Sequence, residues 1–183
     1  MCAFGYSTTV KALFLTLSAL ACVAPLEAQN QLDVQDITRQ FNAIQDRLAG
    51  VVPIHREYTD ERGYGVVTAY LEDGTVAKLV VQSIEESHGR ISEYFFSQGA
   101  PVFVFEVADQ FGGSLPSDRS GVTQDRYYFV GGQLARWMES ATDVPGGFID
   151  IPPTDSRFRE RSKELLADAQ RWGAYVQSSS NQE

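Results

Sequence analysis

Three aromatic segments, each ending at a glycine-bearing turn, are the feature that most constrains the fold of this chain. Aligned by position, they read Ala69-Tyr70-Leu71-Glu72-Asp73-Gly74, Tyr94-Phe95-Phe96-Ser97-Gln98-Gly99 and Tyr127-Tyr128-Phe129-Val130-Gly131-Gly132. Glycine adopts a positive φ at a turn without steric cost, and aromatic side chains pack across the strand pair that the turn closes. The repeat therefore predicts a series of β-hairpins.

The residues around these segments predict six strands. Between Tyr58 and Glu139 the apolar positions recur with a period of two, in runs rich in β-branched and aromatic residues. The predicted strands cover 64–71, 76–83, 90–96, 102–108, 125–130 and 134–139, with turns at 72–74, 88–89, 97–99 and 131–132 and a longer loop at 110–121. Because all but one of the connections are short, consecutive strands should pair antiparallel as a meander.

A helix is predicted on either side of the strands. Between Asp33, the expected N-cap, and Gly50, the expected terminating residue, a stripe of apolar residues predicts a helix over 34–48. A second stripe follows Thr154 and Asp155, either of which could cap its helix. The two stripes are Ile37, Phe41, Ile44 and Leu48, and then Phe158, Leu165, Ala169, Trp172 and Val176. The expected fold is α+β, a six-stranded antiparallel meander sheet flanked by an N-terminal and a C-terminal helix, with both helices on one sheet face.

Composition fits one soluble domain. The chain has 183 residues, 43% hydrophobic and 21% charged, which is ordinary for a single globular unit. Its net charge of -9 has the wrong sign for a protein that neutralises a phosphate backbone, so no nucleic-acid partner is expected. We predict one domain over 29–178 and a polar tail over 179–183.

The N-terminus has the layout of an export signal. Lys11 precedes an apolar run over 12–24, which at 13 residues is shorter than the roughly 20 that a transmembrane helix needs. Residues 1–28 are therefore predicted to be a signal peptide, cleaved after Ala28 or, alternatively, after Ala21. No transmembrane span is expected in the mature chain, which should be periplasmic or secreted.

Both cysteines lie in this leader. Cys2 and Cys22 would be separated from a mature chain that begins at Gln29, so no disulfide is expected in that chain. Lipid anchoring through Cys22 is not expected either. Ala19 stands three places before it, where a lipobox has a large aliphatic residue.

Residues suited to catalysis are few. With His55 and His88 as the only histidines and no cysteine after the leader, we predict no metal site and no cofactor. Glu93, Glu106 and Asp125 could face one another across neighbouring strands, as the two carboxylates of a glycosidase do. The same residue types opposite arginines are more simply cross-strand charge pairs. We therefore expect a protein without enzymatic activity and keep a hydrolase as the alternative.

Aromatic side chains project to both faces of the predicted sheet. If the helices cover one face, the other is either buried by curvature and by the loop at 110–121 or left as an aromatic platform. Exposed apolar patches of more than a few hundred Å² commonly mark binding surfaces. The residues predicted to bind a partner there are Tyr70, Phe95, Tyr128 and Trp137.

The hairpins resemble those of a group of exported bacterial proteins. The similar segments are GVVTAY at 65–70, EYFF at 93–96, FVFE at 103–106, DRYYF at 125–129 and RW at 136–137. Members of that group carry repeated E-Y-Y-F-x-x-G and R-Y-Y-F…R-W hairpins behind a signal peptide or lipobox. The resemblance implies an exported β-hairpin protein and no particular activity.

The function expected from these observations is a non-enzymatic binding module of the bacterial envelope or periplasm. Its partner would be a protein, or an apolar or glycan ligand of the envelope. One alternative is a periplasmic carrier of lipids or other apolar ligands, in which the sheet closes over an apolar cavity under the helices. The other alternative is a hydrolase that uses strand carboxylates.

Overall fold

An antiparallel sheet of eight strands separates two long helices in the part of the chain that the structure describes. The structure is a computed structural model, and it describes residues 26–61, 63–85, 88–111, 119–141 and 147–179. The elements in chain order are α1 (Leu26–Leu48), β1 (Ile54–Asp60), β2 (Gly63–Glu72), β3 (Thr75–Glu85), β4 (His88–Ser97), β5 (Ala100–Phe111), β6 (Arg119–Val130), β7 (Gln133–Ser140), β8 (Phe148–Ile151) and α2 (Ser156–Ser179). The α+β class and the two flanking helices are confirmed.

Much of the predicted leader lies outside the described residues. Cys2, Cys22 and the alternative cleavage site at Ala21 are among these undescribed residues, as is most of the predicted tail. Because α1 begins at Leu26, the cleavage site predicted after Ala28 falls in its first turn. Neither of the described helices combines the length and the apolar character that crossing a membrane would take.

Each strand pairs with the next along the chain, so the sheet is one antiparallel meander in the order β1 to β8. All six predicted strands are present as β2 to β7, each longer than predicted. The predicted number of strands is wrong, because β1 and β8 add a strand at each edge. Half-buried Arg56 and Asp60 interrupt the apolar alternation of β1, while β8 has only four residues.

The three repeats have the same backbone geometry. At each two-residue turn both central residues have positive φ, for example 52° at Gln98 and 79° at Gly99, which defines a type I′ hairpin. The register shifts between the second and third residue of every repeat, leaving Ala77, Val102 and Ala135 as the extra residues on the returning strands. Such β-bulges increase the local twist of a strand pair. The repeat is therefore a bulge followed by a tight turn.

Two of the predicted connections between strands differ from those in the structure. His88 and Gly89, predicted as a turn, belong to β4 and pair with Glu85 and Ile84. The loop predicted over 110–121 is shorter, because β5 runs on to Phe111 and β6 begins at Arg119. In both places regular strand pairing extends into polar sequence that carries no apolar alternation.

The helices pack on opposite faces of the sheet. On the α1 face, Ile44 and Leu48 form a small apolar cluster with Phe95. On the α2 face, the helix stripe joins a larger core containing Val67, Ala69, Leu79, Tyr94, Val104, Tyr127, Phe129 and Trp137. The expectation that both helices cover one face is therefore wrong. The neighbours Tyr94 and Phe95 point to opposite faces and are 2% and 1% exposed, so both faces need a cover.

The helix ends follow their capping residues. α1 starts at Leu26 rather than at 34, but it ends at Leu48 as predicted, and Gly50 has a φ of 94°. In α2, Asp155 is the N-cap, since its Oδ1 accepts a hydrogen bond of 2.9 Å from the backbone N–H of Arg157.

α2 crosses the sheet from β7 to β1. Near its start the ring centroid of Phe158 lies 6.5 Å from that of Trp137 on β7. Near its end Trp172 lies 4.5 Å from Tyr58 on β1, and the Tyr175 hydroxyl donates a 2.7 Å hydrogen bond to the Glu57 carbonyl. This one helix thus ties together strands from the two sides of the sheet.

The turn geometry predicts the effect of one substitution. Gly99→Ala should lower the free energy of unfolding by about 1–2 kcal/mol, because a Cβ disfavours the left-handed conformation. Apart from Gly99 and its two chain neighbours, no heavy atom lies within 4 Å of the added Cβ, so the expected cost is backbone strain. Gly121→Ala is the matched control, with equally open space and no left-handed φ. Urea denaturation measures both variants, and equal stabilities would contradict the type I′ turn at 98–99.

Candidate functional site

The structure divides the four predicted binding residues between the two sheet faces. Tyr70, Phe95 and Tyr128, the second residues of the three repeats, lie on the α1 face. Trp137 is buried in the core of the α2 face. The expectation that all four share a face is wrong for Trp137, because it pairs with Tyr127, the first residue of its repeat.

A groove with aromatic walls lies between α1 and strands β4 to β6. It encloses about 500 Å³, within the range of about 300–1,000 Å³ that small-molecule sites occupy. Its five rings belong to Phe41, Phe95, Phe103, Phe105 and Tyr128. Ring centroids are 4.7 Å apart for Phe41 and Phe95, and 5.1 Å for Phe103 and Tyr128. Phe95 is almost fully buried and forms the floor, whereas Tyr128 is half-buried.

The groove carries one positive charge that no carboxylate of the described residues neutralises. Glu93 is neutralised by Lys78, whose Nζ lies 2.8 Å from its Oε2. Arg126 packs its guanidinium 4.1 Å from the centroid of the Phe148 ring, and among the described residues no carboxylate lies within ion-pair distance of it. An apolar groove with an uncompensated guanidinium at its wall suits a ligand with an apolar body and an anionic group.

The sequence predicts only part of this groove. Phe95 and Tyr128 were predicted from the repeats, whereas Phe41 was assigned to the core stripe of its helix. Phe103 pairs directly with Phe95, and Phe105 pairs with Arg126, so strand parity places all of them on one face once the register is known. Arg126 was missed because nothing in the sequence distinguishes it from a cross-strand charge partner.

α1 leaves part of its sheet face uncovered. Four large apolar side chains between 41% and 57% exposed occupy the strand ends away from the three tight turns. They are Tyr64, Ile84, Ile91 and Val122. The predicted aromatic platform is thus divided, with rings covered by α1 near the tight turns and an open apolar surface at the far ends of the strands.

A row of polar side chains crosses the α2 face. Ser92, Glu106, Asp125 and Glu139 are direct cross-strand neighbours on β4, β5, β6 and β7. Ser92 and Glu106 are buried, at 5% exposure each. Buried polar groups cost free energy unless they are hydrogen-bonded or paired, so each member of this row needs a partner.

Arg161 of α2 holds Glu106. Its Nη2 donates to Glu106 Oε2, and the Ser92 hydroxyl donates a 2.7 Å hydrogen bond to Oε1. The same guanidinium donates through Nε to the Tyr127 hydroxyl at 3.0 Å. Burial raises the pKa of the Tyr127 phenol, so it stays protonated at neutral pH. The contact fixes the underside of α2 to the middle of the sheet.

Among the described residues, Asp125 is the carboxylate of the row that has no arginine within ion-pair distance. It accepts a 2.8 Å hydrogen bond from the indole N–H of Trp137. Burial raises the pKa of Asp125; the Trp137 hydrogen bond opposes that rise, and the nearby Glu139 charge adds to it. A carboxyl with a raised pKa in a cavity is a candidate for ligand binding or proton transfer.

Of the three carboxylates predicted to face one another, the structure brings two together. Glu106 and Asp125 are opposite one another and line one cavity, as the alternative of a hydrolase requires. Glu93 lies on the other face, in the groove, and is paired with Lys78. Among the described residues, no group of three or more histidine, cysteine, aspartate or glutamate side chains could hold a metal ion.

Comparison of the chain with protein-family models, with curated proteins and with solved structures finds no match. The evidence for the function is therefore the chemistry of the side chains on the two sheet faces.

The buried ion pair predicts a large loss of stability when one partner is removed. Arg161→Met should lower the free energy of unfolding by about 3–5 kcal/mol, because Glu106 then remains buried without a counter-charge. Adding Glu106→Gln should recover part of the loss. Arg39→Met, which breaks the exposed pair with Asp36, is the control and should change stability by less than about 1 kcal/mol. Urea denaturation that gives similar values for Arg161→Met and Arg39→Met would contradict this role.

Asp125 should also make stability depend on pH. Its pKa is higher in the folded chain than in the unfolded chain, so ionising it disfavours folding as the pH rises through the folded value. Asp125→Asn should therefore be more stable than the wild type at about pH 7, and its advantage should shrink at about pH 4. Chemical denaturation at both pH values measures the difference.

Asp150 provides the matched control for this experiment. The hydrogen bond from Arg136 lowers the pKa of Asp150, so its charged form favours folding. Asp150→Asn should be less stable than the wild type at neutral pH, the opposite sign to Asp125→Asn. Changes of the same sign in the two variants would contradict the assignment.

Proposed function

We propose that this protein is an exported, non-enzymatic binding module of the bacterial envelope or periplasm, and that it holds an amphiphilic ligand in the groove under α1. The observation that carries the proposal is a groove of about 500 Å³ with five aromatic rings and one guanidinium that has no carboxylate partner among the described residues. The apolar body of the ligand would lie against the rings, and its anionic group would meet Arg126. Export rests on the layout of the N-terminal leader.

The aromatic walls support an apolar ligand. Phe103 lies between Phe41 of the helix and Tyr128 of β6, with centroid distances of 5.3 Å and 5.1 Å. Burying apolar ligand surface here should contribute about 25 cal/mol per Å² to the free energy of binding. Rigid rings also lose little conformational freedom on binding.

The charge of Arg126 supports an anionic group on that ligand. The net charge of the chain is -9, so a general attraction for anions is absent. A single arginine in a partly desolvated apolar groove is a specific attraction, and its guanidinium can form two parallel hydrogen bonds to a carboxylate, sulfate or phosphate. Fatty acids and anionic lipids have this combination of groups.

The neighbouring carboxylates Glu106 and Asp125 are the observation that favours the alternative of a hydrolase. However, Arg161 occupies the Glu106 carboxylate, and α2 packs over it. Incubating the wild-type protein with peptidoglycan and glycan substrates tests this alternative, since hydrolysis that Glu106→Gln abolishes would support it.

Calorimetric titration of the purified protein with laurate and with dodecanol tests the proposed function. Laurate should bind more tightly than dodecanol. Arg126→Gln should lower the affinity for laurate by about tenfold and leave the affinity for dodecanol nearly unchanged, because only the charged contact is lost. Tyr128→Ala should lower the affinity for both ligands.

Tyr70→Ala is the matched control for Tyr128→Ala. Tyr70 has the same position in its repeat and lies on the same face, but it is outside the groove. Thermal unfolding of each variant establishes that it is folded. The proposal fails if neither ligand binds saturably, or if folded Tyr128→Ala binds laurate as the wild type does.

A further inference from the structure

A second cavity lies on the opposite side of the sheet, between α2 and the ends of the strands away from the tight turns. It has a volume of about 440 Å³, a size that accommodates a small metabolite. Ser83, Arg90, Thr123, Asp125, Tyr127 and Arg161 are among the residues that line it. A smaller polar cavity of about 60 Å³ adjoins it and shares Ser83, Arg90 and Glu106. This cavity is independent of the groove under α1.

Most of the charges around this cavity neutralise one another. Glu106 is paired with Arg161, which reaches it from α2. Glu139 has Arg157 at 3.6 Å. These pairs account for two carboxylates and two guanidinium groups, and they attach α2 to the sheet.

Among the described aspartate, glutamate, lysine and arginine residues that line this cavity, Asp125 and Arg90 have no ion-pair partner. Asp125 accepts the Trp137 N–H but has no cationic group within ion-pair distance among the described residues. Arg90 lines the same cavity from β4, and within that part of the chain no carboxylate lies close enough to pair with it. The charge of Arg90 lowers the pKa of Asp125, yet the two side chains do not form an ion pair. A carboxyl and a guanidinium thus face one cavity with a gap between them.

We propose that this cavity binds a small zwitterion, an α-amino acid, with its carboxylate at Arg90 and its ammonium group at Asp125. A ligand with both charges satisfies both side chains at once. A simple anion at Arg90 would leave the Asp125 carboxylate without a counter-charge, and a simple cation at Asp125 would leave Arg90 without one. A neutral polyol would leave both charges uncompensated.

Hydroxyl groups complete the polar lining. Ser83 and Thr123 lie on β3 and β6, and both line the cavity. The Tyr127 hydroxyl accepts from Arg161, which leaves its own proton available to an acceptor on the ligand. These groups can orient the polar atoms between the two charged ends of the ligand.

Calorimetric titration of the purified protein with each of the common L-amino acids tests the inference. At least one should bind at concentrations below about 10 mM, and its N-acetyl and amide derivatives, each lacking one charge, should bind about tenfold more weakly. Glucose and N-acetylglucosamine are the neutral probes. Binding of a sugar without any amino acid, or of neither class, would overturn the proposal.

Variants that remove one charge each localise the site. Arg90→Gln and Asp125→Asn should each lower the affinity for the amino acid by about tenfold or more. Arg136→Gln, which removes a paired arginine on the other face, should leave binding unchanged. Asp125→Asn keeps an acceptor for the Trp137 N–H, and a denaturation curve verifies that the variant is folded. Unchanged affinity in folded Arg90→Gln or Asp125→Asn would place the ligand elsewhere.

A spectroscopic measurement distinguishes direct contact between the amino acid and Asp125 from an indirect effect of the Asp125→Asn substitution on affinity. An ammonium group beside Asp125 favours its ionised form, so the amino acid should lower the pKa of that carboxyl. Carbon-detected NMR titration of the Asp125 carboxyl with and without ligand measures the change. A pKa that does not fall on saturation would contradict the contact.

Discussion

The sheet buries aromatic side chains on both faces, and the rest of the structure depends on this constraint. Tyr94 and Phe95 are consecutive, point in opposite directions and are each at most 2% exposed. One helix can cover only one face, so the fold needs α1 and α2 on opposite sides. The groove follows from partial coverage of one face by α1, and the polar cavity follows from the row of carboxylates beneath the charged side of α2.

Local sequence patterns predicted most of the elements and the antiparallel meander of the strands, but not the sheet face on which each helix packs. The six inner strands and the C-terminus of α1 follow from the period of apolar residues and from glycine. β1 was not predictable in this way, because Arg56 and Asp60 occupy its half-buried positions. The side on which each helix packs is a tertiary property, decided by which parity of the strands each apolar stripe contacts.

The candidate sites were predictable only where the repeats carry them. Phe95 and Tyr128 share a repeat position and therefore a face, whereas Trp137 belongs to the other face through its pairing with Tyr127. Asp125 was predicted only as one of three strand carboxylates and Arg90 was not predicted, because whether a charged side chain on the sheet has an ion-pair partner depends on contacts from α2. Arg161, which pairs with Glu106 and not with Asp125 in the described part of the chain, lies 36 positions further along the sequence than Asp125.

The position of α2 at the end of the described chain has a consequence for biosynthesis. Arg171 bonds Asp60 at 2.7 Å, and Trp172 packs on Tyr58, so the first strand receives its cover from residues made more than a hundred positions later. Until those residues emerge from the ribosome, the strands expose a continuous aromatic surface that is prone to aggregate. A nascent chain of this protein therefore gains from a holdase chaperone until α2 has been made, and a chain that stops before Trp172 is expected to aggregate.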